Sequence, residues 1–323
     1  MPSAPLHLTH VELLRRDEAV PARLRRALDA EPSFGRLGAI FPDLPFYTNI
    51  LTLSLGYWLE RPAEPCPLAH RIHQDRPAAF AWHVLERLLR SQHLSRDEAL
   101  ALAAGFFAHV ALDLEVHPLV NWCARRDLTA RGGHETHHHR LAEKYHSLFF
   151  HLDLCGRDCV GVPQFYREKT RILDHPSFLR VQPTLPLVGW IAEVFDFYPE
   201  AAPTRGEVAG WLRTFRHFGF LVSLPVAARN SARLGNADNR RHYYENENFR
   251  FEEFFRRGYD RSLGLLRLVD RVAEGGDLGE AARAAFLAQA EIGDYAYPVE
   301  RHLPALPLGR GGARQGDLRV AVG

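Results

Sequence analysis

The chain has 323 residues, of which 46% are hydrophobic and 24% charged. That is a globular balance, too apolar for a disordered segment and too long for a peptide module. Forty Lys and Arg face 39 Asp and Glu, and the formal net charge of +1 removes the electrostatic case for wrapping duplex nucleic acid. The four cysteines are Cys66, Cys123, Cys155 and Cys159. They make neither a disulfide scaffold nor a zinc-ribbon or C-x-x-C spacing, so they are expected to be reduced and mostly buried.

In chain order, the opening MPSAPLHLTHVELLRRDEA lacks the apolar stretch of a signal peptide, which makes a cytoplasmic protein the expectation. Apolar residues at three- and four-residue steps predict helices over residues 15–28, 78–89, 96–117, 134–151, 207–220, 249–273 and 278–292. Ser95-Arg96-Asp97-Glu98 reads as a capping box that starts the third of these. Pro118 is expected to end it, because the residue before proline disfavours the helical region. The apolar run 99–108 stops at His109 and is too short to span a bilayer, so no transmembrane segment is expected. Gly132-Gly133 marks a turn. Residues 236–248 read as a long capping loop, and Phe249, Phe251, Phe254, Phe255 and Tyr259 as core. Strand alternation is scarce. The predicted fold class is therefore all-α, a multi-helix bundle. We expect one domain over residues 1–303, with a metal-binding half at about 7–151 and a helical partner layer at about 152–303. A Pro/Gly/Arg-rich tail, 304–323, is expected to be loosely ordered.

Fourteen of the eighteen histidines lie at or before His151, which locates the chemistry in the first half. The sharpest feature is His109-x3-Asp113-x3-His117. On a helix each step of four turns about 40° past a full turn and climbs about 6 Å, so the three form one slanted stripe. Two imidazoles and a carboxylate in a stripe suit a divalent metal, or two metals sharing the carboxylate. Such polar groups are costly in an apolar helix unless they have partners. His139 and Glu143 form a second i, i+4 pair, with His146 one turn on. Upstream, Asp43 lies between prolines in what reads as a rigid loop. His70 and His73 sit at i, i+3 ahead of Gln-Asp-Arg-Pro.

Taken in order, these residues carry a resemblance. Thr9-His10, Leu37-Gly-Ala-x-x-Pro-Asp43, His73 before Asp-x-Pro, His109-x3-Asp113-x3-His117-Pro118 and His139-x3-Glu143 are similar to the bacterial zinc-dependent phospholipase C family, itself related to the single-strand-specific zinc nucleases. The resemblance covers about residues 7–150. It implies an all-helical fold holding two or three Zn2+ ions. Carried over, Asp43, His73, His109 and Asp113 would hold one ion, and His117, His139 and Glu143 a second. His10 and Asp113 would hold a third, with Asp113 bridging. Secreted members give a processed N-terminal residue to that third site, which here would lack that ligand unless His7 substitutes. The resemblance makes Asp43 the general base and the activity hydrolysis of a phosphoester. A phospholipid at a membrane surface, a nucleotide and a small phosphoester all present the required anionic group.

Two other readings compete. His134-Glu135-Thr136-His137-His138 matches H-E-x-x-H, the zinc-protease signature, and makes His134 or His138 rivals of His139 as ligands. The motif opens its helix directly after Gly132-Gly133, and no histidine follows at the extended spacing. A non-catalytic metal-binding scaffold is the third reading. No His-Asp dipeptide occurs, which excludes the phosphohydrolase class built on one.

Overall fold

A computed structural model describes residues 4–49, 67–154, 184–222 and 236–292, and all regular elements there are helical. In order these are α1 (Ala4–Arg15), α2 (Ala22–Ala30), α3 (Pro32–Ile40), a 3-10 helix (Phe41–Asn49), α4 (Pro67–Gln74), α5 (Pro77–Leu89), α6 (Arg96–Arg131), α7 (Glu135–Leu154), α8 (Leu185–Phe195), a single 3-10 turn (Pro199–Ala201), α9 (Arg205–Val222), α10 (Ala237–Tyr243), α11 (Phe251–Gly275) and α12 (Glu280–Ala290). The fold is all-α, as expected. The expected tail at 304–323, Cys66, Cys155 and Cys159 lie outside the described residues.

The central element is α6. The capping box forms as read: Ser95 Oγ accepts from the Glu98 backbone N–H at 3.2 Å, and the Ser95 N–H donates to Glu98 Oε2 at 2.6 Å. Every residue from 99 to 113 is buried, and α6 packs against α3, α11, α7, α2 and α5. By length and apolarity it passes the test for a membrane-crossing helix, contrary to the reading of a short run. Its apolar window is nonetheless 89% buried within the protein, as a helix that is hydrophobic all round requires.

The helix also runs through Pro118 instead of stopping there. Proline inside a helix costs roughly 3 kcal/mol. Here Val116, Leu119, Val120 and Cys123, on both sides of the proline, are buried in one apolar cluster with α7, α10 and α11, and that burial outweighs the lost hydrogen bond. Cys123 is a buried free thiol that burial pushes up to about 12.

Other boundaries moved for local reasons. The predicted helix 15–28 is split into α1 and α2, because Pro21 supplies no N–H and Asp17 turns the chain by accepting from the Ala19 N–H at 2.8 Å. Asp43 sits in a 3-10 helix rather than a loop. Residues 237–243 form α10, capped by Asn236 accepting from the Asn239 N–H at 2.9 Å. The aromatic residues Phe249, Phe251, Phe254 and Phe255 are core, as read.

Two apolar clusters make the interior, and they meet on α6. Val110 and Ala111 belong to the first, Leu112 and Val116 to the second. Asp113 stands at this junction.

The approach of α3 to α6 has no room for side chains. A Cβ on Gly105 would lie 1.9 Å from the Gly35 carbonyl oxygen, and one on Gly38 would lie 2.1 Å from the Leu102 carbonyl oxygen. We therefore expect Gly105→Ala to destabilise the protein by about 3 kcal/mol, the upper end for overpacking, because the obstacle is backbone. Gly264→Ala is the control. It lies in α11 with nothing within 4 Å of the added Cβ, and should stabilise by about 0.5–1 kcal/mol. Urea denaturation midpoints of the two variants check both signs.

Candidate metal centre

Five segments deliver the candidate ligands. His7 comes from α1, Asp43 from the 3-10 helix and His73 from α4. His109, Asp113 and His117 come from α6, and His139 and Glu143 from α7. Their donor atoms converge into three groups, each with all its ligand atoms within 4.8 Å of one another: His7, His109 and Asp113; Asp43, His73 and His109; His117, His139 and Glu143.

Asp113 joins the groups. Its Oδ1 lies 3.2 Å from His7 Nε2 and 3.3 Å from His117 Nε2, and its Oδ2 lies 3.1 Å from His109 Nε2 and 3.8 Å from His73 Nε2. His73 Nε2 is 3.5 Å from Asp43 Oδ1, and His139 Nε2 is 3.2 Å from Glu143 Oε1. The i, i+4 stripe on α6 thus aims all three side chains at one line of atoms.

The outer nitrogens of three imidazoles are fixed by acceptors. His109 Nδ1–H donates to the Ala39 carbonyl at 2.8 Å, and His73 Nδ1–H to the Ala69 carbonyl at 2.7 Å. His139 Nδ1–H donates to Asn121 Oδ1 at 3.0 Å. A carbonyl only accepts, so the proton sits on Nδ1 and the Nε2 lone pair faces the cluster. This is how metal-binding histidines are usually oriented. The Ala39 contact depends on the glycine-lined approach of α3 to α6, so the fold itself sets the rotation of His109.

Several inward atoms have nothing else to bind. Both oxygens of Asp43, Oδ2 of Asp113 and Nε2 of His109 are buried with no partner in hydrogen-bonding geometry. Buried polar atoms are normally satisfied, and a cluster of orphans facing one another fits a bound cation. The protonation balance points the same way. Burial alone would lower His109, but the Asp113 and Asp43 carboxylates raise it to about 9. His117 is likewise raised by Asp113 against its burial. Burial would raise Asp113, yet His117, His109 and His7 hold it well below the carboxylate range. Without an ion, the carboxylates draw protons onto the imidazoles, and a divalent ion supplies the same positive charge. Nitrogen and carboxylate donors in these numbers could hold divalent metal ions.

The resemblance placed His10 beside Asp113, but the structure places His7 there. His10 lies one turn on, fully buried, with Nε2 3.2 Å from Ser262 Oγ and its ring against Phe255. Burial, reinforced by His7 and His109, lowers it to about 3, a neutral core imidazole. His70 lies on α4, and its side chain is outside those described.

The H-E-x-x-H residues do not converge. His134 and Glu135 are exposed, Glu135 pairs with Arg125 at 3.8 Å, and His138 Nε2 lies 2.7 Å from the Gly132 carbonyl. His139 is the member of this run whose ligand atom meets His117 and Glu143.

Solvent reaches the cluster at two of the candidate ligands. The His139 side chain is 27% exposed and His73 12%, while the other ligands are buried. Sequence reasoning had no direct signal for Asn121 or the Ala39 and Ala69 carbonyls, because each is brought to its histidine by packing. Comparison of the chain with protein-family models, with curated proteins and with solved structures finds no significant match.

Proposed function

We propose that the protein is a metal-dependent hydrolase of phosphoesters, of the zinc-dependent phospholipase C-like kind, acting through a centre of two or three zinc-type ions. The observation that carries this reading is the convergence of five imidazoles and three carboxylates in three groups, two of which share His109, while Asp113 reaches the third through His117. Asp43, His73 and His109 would hold one ion, His117, His139 and Glu143 a second, and His7 with Asp113 a third. Ions held there would lower the pKa of water to roughly 7 and neutralise charge on the phosphoryl oxygens.

The chain's own residues set the rest of the chemistry. Three carboxylates carry three negative charges, so two divalent ions already leave the site net positive, as an anionic substrate requires. Asp113 lies between the groups and keeps them at a fixed separation. Asp43 has two carboxylate oxygens without hydrogen-bond partners, so one can bind while the other accepts the proton of an attacking water. The Ala39, Ala69 and Asn121 acceptors keep three imidazoles from rotating. Substrate would enter where His139, the most exposed ligand, meets solvent.

Paired variants test the reading against the protease motif. Glu143→Gln should weaken the second ion and cut turnover of a chromogenic phosphodiester at least tenfold. Glu135→Gln should leave turnover near wild type, since Glu135 is exposed and points at Arg125. The opposite ranking, with casein cleaved and Glu135 essential, would establish the protease. Bound metal with no turnover of any phosphoester would favour the non-catalytic scaffold.

A further inference from the structure

Among the ligands lies a small cavity, of whose polar lining only His146 has no part in the assignment above. His7, Asp113, His117, Glu143 and His146 supply its polar wall, and side chains of α1 and α6 its apolar one. It holds about 10 Å³, room for a single water. His146 is the unexplained member. It is fully buried, and its ring stacks on Phe251 at 4.6 Å. One edge approaches the Tyr243 backbone, yet neither ring nitrogen has a hydrogen-bond partner in good geometry.

A core histidine is normally satisfied by its neighbours, as His151 is by Thr9 Oγ1 at 2.7 Å and the Ser147 carbonyl at 2.6 Å. His146 is not, and it lines this polar cavity. Its nitrogens join none of the three groups whose ligand atoms all lie within 4.8 Å of one another, so the structure does not make it a ligand beside Glu143 and His117. A water in the cavity would join the two. The cavity offers such a water several polar partners, which a buried water requires.

We infer that His146 is a positioning residue of the metal centre, holding one water in this cavity between its ring and the His117–Glu143 group. The inference rests on the metal reading of the site. His146 binds no ion itself. It orients a water next to the ligands and so fixes the hydration of the second group.

The test uses the full chain, stripped with a chelator and titrated with Co2+, as wild type, His146→Phe and His146→Gln. Phenylalanine keeps the stacking on Phe251 but removes the nitrogens, whereas glutamine keeps a hydrogen-bonding end. We expect both variants to bind as many Co2+ ions as wild type. The visible absorption bands should shift in His146→Phe and lie nearer wild type in His146→Gln. With zinc and a chromogenic phosphodiester, His146→Phe should lose about 10- to 100-fold in kcat with little change in KM, and His146→Gln should recover part of it.

An unchanged spectrum in His146→Phe would make His146 a packing residue and overturn the inference. Loss of one ion would make it a direct ligand, which also overturns it. If His146→Phe does not fold, the spectrum of His146→Gln decides: bands identical to wild type in position and intensity would sink the idea, and a smaller shift would support it. The spectral shift stands even if no phosphodiester is hydrolysed, so the inference and the phosphoesterase reading fail separately. A wild type that takes up no Co2+ removes both.

Discussion

Replacing Asp113 with alanine is expected to strip more than one ion from each chain and to abolish turnover. Its two oxygens lie within 3.1–3.3 Å of Nε2 of His109, His7 and His117, so one carboxylate serves more than one group. A metal centre supplies several kcal/mol of transition-state stabilisation, and each ~1.4 kcal/mol is tenfold in rate. Turnover should therefore fall by about a thousandfold or more. Added zinc should raise the wild-type Tm, because ligand that binds only the folded state stabilises it, and it should raise the variant's Tm far less.

Asp127→Ala is the control. That carboxylate is also fully buried on α6, but it binds the Tyr243 hydroxyl and lies 2.7 Å from His242 Nε2. Its loss should lower stability and leave the metal count intact. Full metal content in Asp113→Ala would show that the carboxylate does not bridge.

Asp43→Asn should give a folded, metal-loaded, slow protein. Asparagine has nearly the same shape, and its carbonyl oxygen still faces a cation, so the fold and most of the bound metal should survive. The amide cannot accept the water's proton, and general-base help is worth about 10²–10⁴-fold. Thermal midpoint, metal content and phosphodiester rate on this one variant decide its role. A wild-type rate would reduce Asp43 to a structural aspartate of the 3-10 helix. Loss of metal and fold together would make it a ligand with no part in proton transfer.

Features that depend on near neighbours in the chain were legible. The helical spacing of His109, Asp113 and His117, the His139–Glu143 pair and the Ser95 capping box all follow from local geometry, and so does the all-α class. Features set by packing were not. His7 and His10 are three residues apart on α1, and nothing local says which faces Asp113. The choice is made by α11, whose Ser262 and Phe255 engage His10. Pro118 carries a correct local penalty that the buried residues around it overrule. His109 owes its orientation to a carbonyl 70 positions away, delivered by glycines 35, 38 and 105. His134-Glu135-x-x-His138 shows the converse, a motif with the right letters whose side chains point at Gly132, Arg125 and solvent.

Metal analysis of the purified full chain tests the central claim most directly. Elemental analysis by mass spectrometry after exhaustive dialysis at neutral pH should find two or three zinc-type ions per chain. Removal of those ions with a chelator should release the metal in more than one step and lower the Tm. A protein that retains less than one ion per chain, and whose Tm does not respond to added zinc, would contradict the account.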